Sequence, residues 1–219
     1  MNASTYVAFL GLSTGAVLVF ALMTLWRRQV RAIVTMLRFQ GVALAVVAAV
    51  LAAHQHDLGL AITAVMVFLV KAIVVPELLA RVVRLDPHSR ETTPLMNVPA
   101  SLVSGAVLIV IAFAVSTSLT ALAPSVPTRL VPIGVATVLV GYLMLVTRRR
   151  AVSQIVGLLI VDNGIGLATF LLTAGVPLVV ELGSTLDVLL VVVVLRLLVT
   201  NVGHRLSSSD LDEMRELRD

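Results

Sequence analysis

The chain has 219 residues, of which 59% come from the set AVILMFWYC and 13% are charged, with a formal net charge of +4 and a mean hydropathy of +1.07. Soluble domains carry about 45–50% apolar and about 25% charged residues, so that class is excluded and an integral membrane protein is indicated. Zero cysteines exclude disulfides, thiolate metal sites, iron–sulfur ligation and a cysteine nucleophile, and the 15 arginines against a single lysine report orientation in a bilayer rather than nucleic-acid binding.

About 20 apolar residues are needed to cross the hydrocarbon core as a helix. In chain order the sequence offers seven such spans: 6–26, 32–53, 59–83, 98–121, 130–147, 153–176 and 185–203. Short polar breaks separate them, among them W-R-R-Q-V-R, H-Q-H-D, R-L-D-P-H-S-R-E-T-T-P and R-R-R. The expected fold is all-α, a single transmembrane domain over residues 1–203 followed by a charged tail at 204–219. That tail reads as a short Ser/Asp-capped amphipathic helix, either a docking element or a solvated end. The first span lacks the basic n-region and the cleavage site of a signal peptide.

When loops are placed alternately on two sides, Arg27, Arg28, Arg31, Arg81, Arg84, Arg90, Arg148, Arg149, Arg150 and Arg205 fall together and Arg129 stands alone. By the positive-inside rule this predicts an N-terminus outside and a C-terminus in the cytoplasm. Arg27-Arg28 precedes Gln40, and Arg149-Arg150 precedes Asp162, at a common offset of 122 residues. Each of the two then opens a run of small apolar residues. This pattern fits two parallel three-helix units, 1–84 and 130–203, joined by the helix at 98–121; it also fits the ordinary recurrence of basic helix ends.

Ionisable groups far from either interface carry the functional signal, because each costs at least about 2.5–3.5 kcal/mol at mid-helix. Lys71, the one lysine, sits in A-V-M-V-F-L-V-K-A-I-V-V-P, about 18 Å from either end of its span. A desolvated lysine can release its proton, whereas a guanidinium stays charged. Asp162, in L-L-I-V-D-N-G-I-G, lies at the same depth, with Asn163 beside it. Gly164 and Gly166 are expected to admit a neighbouring backbone or water. These three residues, Lys71, Asp162 and Asn163, are the proton-relay candidates. Nearer the basic side, Arg38 and Glu77 share a depth and predict an ion pair, structural or functional. Pro76 frees a backbone carbonyl between Lys71 and Glu77. Gln40, Asp187 and Arg196 complete the supporting polar set, with Asp187 readable as a helix-dipole residue and Arg196 as a snorkelling one. Gly11, Gly15, Ser104, Gly105, Gly134 and Gly141 read as helix-packing positions.

No enzyme motif is present: no H-E-x-x-H, P-loop or G-x-S-x-G occurs, and the four histidines show no ligand spacing. Neither a metal site nor a cofactor in this chain is therefore expected.

The segment F-L-V-K-A-I-V-V-P-E-L-L-A-R resembles the lysine-proline span of the hydrogenase-4 component E (HyfE-like) family. R-R-R-A-V-S-Q-I-V-G-L-L-I-V-D-N-G-I-G-L resembles that family's basic-loop span, and the likeness continues through V-E-L-G-S-T-L-D-V-L-L-V-V-V-V-L-R-L-L. It implies a non-catalytic membrane subunit of a complex-I-like hydrogenase or formate-hydrogenlyase-type assembly in a prokaryotic plasma (inner) membrane. Such a subunit is related to the K subunit of complex I, has antiporter-like and other membrane subunits as partners, and contributes buried ionisable residues to proton or sodium translocation. Lys71 and Asp162-Asn163 fall at the family's polar mid-membrane positions. Two departures stand out: Asp162 occupies a place where the family commonly has glutamate, and an apolar residue near Leu159 replaces the glutamate of the K-subunit span. The residues alone also fit a stand-alone secondary transporter or channel, or a scaffold linking larger membrane subunits.

Overall fold

A computed structural model describes residues 2–84, 95–122 and 124–173. The expected seventh span, with Asp187 and Arg196, and the charged tail lie outside the described residues.

Long apolar stretches without internal breakers become helices: α1 (Ala3–Trp26), α2 (Val30–Gln55), α3 (Leu58–Val67), α4 (Val75–Arg84), α5 (Val98–Leu122), α6 (Val131–Thr147) and α7 (Ala151–Thr173). A π-helical segment, Phe68–Val74, joins α3 to α4, so that Leu58–Arg84 is one continuous span. Six helices among the described residues are thus long and apolar enough to cross a membrane. Large side chains such as Leu12, Val103, Val110 and Val115 stand exposed, as expected of a surface facing hydrocarbon rather than water.

The helices run up and down, and the connections explain why. Arg27 and Arg148 end α1 and α6 in extended conformation, and the chain re-enters a helix three residues on, at Val30 and Ala151. At the other end of the bundle, His56 closes α2 in the left-handed conformation with φ 55°. Asp57 then caps α3 by accepting hydrogen bonds from the Gly59 and Leu60 amides at 2.7 and 3.4 Å, satisfying two donors that a helix start leaves open. Tyr6 stacks on His54 and Phe20 on Phe39, fixing the antiparallel register of α1 and α2.

Glycines set the closest approach. A Cβ at Gly134 or Gly141 would lie 2.8 Å from the Ala168 amide or 2.7 Å from that of Val161; one at Gly157 or Gly164 would lie 2.8 Å from Leu145 N or 2.6 Å from Val138 N. Small residues two turns apart on both α6 and α7 thus let the two backbones touch, the usual device where lipid supplies no hydrophobic drive. Gly11 and Gly15 differ from expectation. Nothing lies within 4 Å of a Cβ at either one, so among the described residues they are not packing positions.

The core divides in two. One apolar cluster gathers Leu10, Val17, Leu44, Leu51, Val67, Leu167 and Phe170; the other gathers Leu25, Ile33, Leu37, Leu79, Met144, Val156 and Ile160. The gap between them falls at Gln40 on α2, Lys71 on the π segment and Asp162-Asn163 on α7, which form a polar layer between two apolar ones.

Candidate functional site

Lys71 is the midpoint of the Leu58–Arg84 span, and its side chain is 6% exposed. Its local backbone follows from Pro76, which has no N–H to donate to the carbonyl four residues back and whose ring crowds that carbonyl. The ladder widens before it: the Val75 amide bonds to the Val70 carbonyl, five residues back. Such π segments are rare and concentrate at functional sites. Lys71 stands in the middle of this one.

The π segment is held close to α2 by Gly41. A Cβ there would fall 2.6 Å from the Lys71 carbonyl carbon and 2.9 Å from the Ala72 amide nitrogen. Any larger residue would push the lysine-bearing backbone away.

From this position Lys71 Nζ reaches Asp162 Oδ2 at 3.1 Å. Asp162 is the midpoint of α7 and is 21% exposed. Gly166, one turn further along α7, passes beside the amine, and a Cβ there would lie 3.6 Å from Nζ. Asn163 Nδ2 donates to Gln40 Oε1 at 3.1 Å, and Gln40 Nε2 donates to the Val17 carbonyl at 3.3 Å. The layer therefore ties α1, α2, the π segment and α7 together through polar groups. Paired and hydrogen-bonded, these groups avoid the desolvation cost of lone charges or amides in an apolar core. An amine and a carboxylate at hydrogen-bonding distance can also pass a proton between Nζ and Oδ2.

Arg38 and Glu77 meet, but in a different setting. Arg38 donates to Glu77 Oε2 at 3.4 Å, and Arg84 and Arg81 reach Oε1 at 2.7 and 3.6 Å. All four side chains are at least 39% exposed. Glu77 is shared by three arginines, so the expected pair is one edge of a solvated cluster.

One polar residue escaped the sequence reading. Arg148 opens the R-R-R break, where a solvent-facing anchor was expected, yet it is 4% exposed. Its guanidinium donates to the carbonyls of Leu25 at 2.8 Å, Arg27 at 3.2 Å and Thr24 at 3.4 Å, closing the C-terminus of α1. A cation there also faces the negative end of the helix dipole. The available signal was its place directly after span 130–147, where it can turn inward while Arg149 and Arg150 remain at the rim.

The arginine-bearing turns Arg27–Arg31 and Arg148–Arg150 and the end of α4 occupy one end of the bundle, and Arg129 the other. The Leu95 amide donates to the Thr147 carbonyl at 3.1 Å, placing the start of α5 at the basic end.

No sequence profile of a known family matches the chain, and no solved structure matches it. A curated relative does: the uncharacterized protein Rv0085 of Mycobacterium tuberculosis is 40% identical over 220 residues, a match covering 100% of each chain. At that identity and full mutual coverage, this chain, with six helices of membrane-crossing length among its described residues, belongs to the same protein family as mycobacterial Rv0085.

Proposed function

We propose that the chain is a membrane subunit of a complex-I-like hydrogenase or formate-hydrogenlyase-type assembly, in which Lys71 and Asp162 hold and pass a proton halfway across a prokaryotic plasma membrane. The observation that carries this reading is the buried Lys71–Asp162 contact at 3.1 Å, central in both spans and seated on a π segment. An intramembrane acid–base pair is costly enough that structural adhesion alone is a poor account of it. The resemblance of F-L-V-K-A-I-V-V-P-E and V-D-N-G-I-G to the hydrogenase-4 component E family supports the choice of assembly. In this reading all seven spans cross the membrane, the N-terminus lies outside and the basic end of the bundle faces the cytoplasm.

Each helix of the layer has one task. The amine takes up a proton from the carboxyl side or returns it, so the pair alternates between ammonium with carboxylate and neutral amine with carboxylic acid. Gln40 and Asn163 hold α2 against α7 while the charge changes. The redox chemistry belongs to other subunits.

The test is a double substitution, Lys71→Gln with Asp162→Asn, which keeps two neutral hydrogen-bonding groups in place. Purification in mild detergent is expected to yield antiporter-like and hydrogenase-like subunits with both wild type and variant, while the variant loses substrate-driven proton movement in intact cells. An unchanged proton gradient would reduce the chain to a scaffold. A lone homo-oligomer from wild-type membranes would favour a stand-alone transporter built on the same pair.

A further inference from the structure

We propose that the basic hollow between α2 and α4 binds the phosphate of an anionic phospholipid headgroup. The hollow has a volume of about 320 Å³ and carries Arg31, Arg38 and Arg84 on its walls, with Glu77 as its acid. It begins at the first turn of α2 and the last turn of α4, where these spans leave the hydrocarbon, and runs about two turns inward to Arg38.

Charge and hydrogen bonding both leave capacity for an anion. Glu77 is shared by Arg38, Arg84 and the neighbouring Arg81, so with Arg31 on the wall four guanidiniums stand to one carboxylate among the described residues, an excess of three positive charges there. A carboxylate offers about four acceptor positions and each guanidinium five donors, so the donors outnumber what Glu77 can accept. Arg38 and Arg84 are 46% and 60% exposed and free to turn toward a ligand. Guanidinium forks suit phosphate oxygens in particular.

The occupant is a lipid rather than a soluble anion because three of the four remaining wall residues are apolar, Thr35 being the fourth. Val34, Ala80 and Val83 line the hollow beside the arginines, which suits a phosphoglycerol group whose acyl chains continue along the outside of the bundle. Basic hollows between membrane helices bind headgroups on these terms.

The full-length protein in mild detergent, titrated with phosphatidylglycerol and separately with phosphatidylcholine, is read by native mass spectrometry for bound lipid. Phosphatidylglycerol is expected to bind in preference. Arg31→Gln alone, which leaves all three Glu77 ion pairs in place, is expected to lower that affinity about fivefold, and Arg31→Gln with Arg38→Gln and Arg84→Gln about a hundredfold. A triple variant of equal charge at the same end, Arg27→Gln with Arg28→Gln and Arg150→Gln, is expected to leave it unchanged. Equal losses in the two triple variants, or equal binding of the two lipids, would overturn the site. Displacement of the lipid by inorganic phosphate at similar concentration would assign the hollow to a soluble anion and overturn the lipid.

Discussion

Two acid–base clusters share the Leu58–Arg84 span, one reaching α2 through Arg38 and the other reaching α7 through Asp162, yet their surroundings make them different objects. Around Glu77 three arginines compete for one carboxylate at the bundle's edge, with every partner at least 39% exposed. Among the described residues Lys71 meets the acid Asp162 at 3.1 Å, and the amine is 6% exposed between two apolar clusters. Coulomb attraction is weak where solvent and headgroups screen it and strong where they cannot reach. The exposed cluster can exchange partners at little cost. The buried amine has no solvent to turn to when its contact with Asp162 is removed.

The largest expected effect follows from that asymmetry. Lys71→Met or Asp162→Leu alone is expected to destabilise the protein by about 3–5 kcal/mol, since each removes one member of the 3.1 Å contact, while the double variant recovers most of the loss. Unfolding curves of the four proteins in detergent check this; additive single losses would mean the two groups do not form a pair. Gly41→Val is expected to come next, at about 1–3 kcal/mol, because its Cβ would overlap the Lys71 carbonyl and displace the π segment. Gly11→Val, with no described residue within 4 Å of its Cβ, is its control and is expected to leave the same unfolding curve in place. The smallest effect is expected of Arg38→Gln, whose melt should overlay that of wild type because Arg81 and Arg84 still hold Glu77. A loss as large as that of Lys71→Met would erase the distinction between the clusters.

Depth was legible in the sequence and direction was not. Lys71 stands out as the single lysine, and counting residues from the span ends places it and Asp162 in one plane; rotation about each helix axis, which brings them together, depends on packing. Gly41 makes the closest approach and Gly157 a close one, and neither drew notice. Gly11 and Gly15 did, although no described residue packs on them, since a glycine's neighbours are set by another helix rather than by its own. Pro76 signalled a disturbed ladder near Lys71. That the ladder widens into a π segment rather than kinking depends on how α2 receives it at Gly41. Arg148 was hidden by its neighbours, because three consecutive arginines look alike until one of them meets the end of another helix.

Arg148 carries a mechanical implication. Its guanidinium links the last carbonyls of α1 to the base of the α6–α7 hairpin, riveting two parts of the bundle at a single rim. Prising them apart there would cost three charge-assisted hydrogen bonds at once. Any tilt of α1 against the α6–α7 hairpin at the arginine-bearing end therefore has to break those three bonds first.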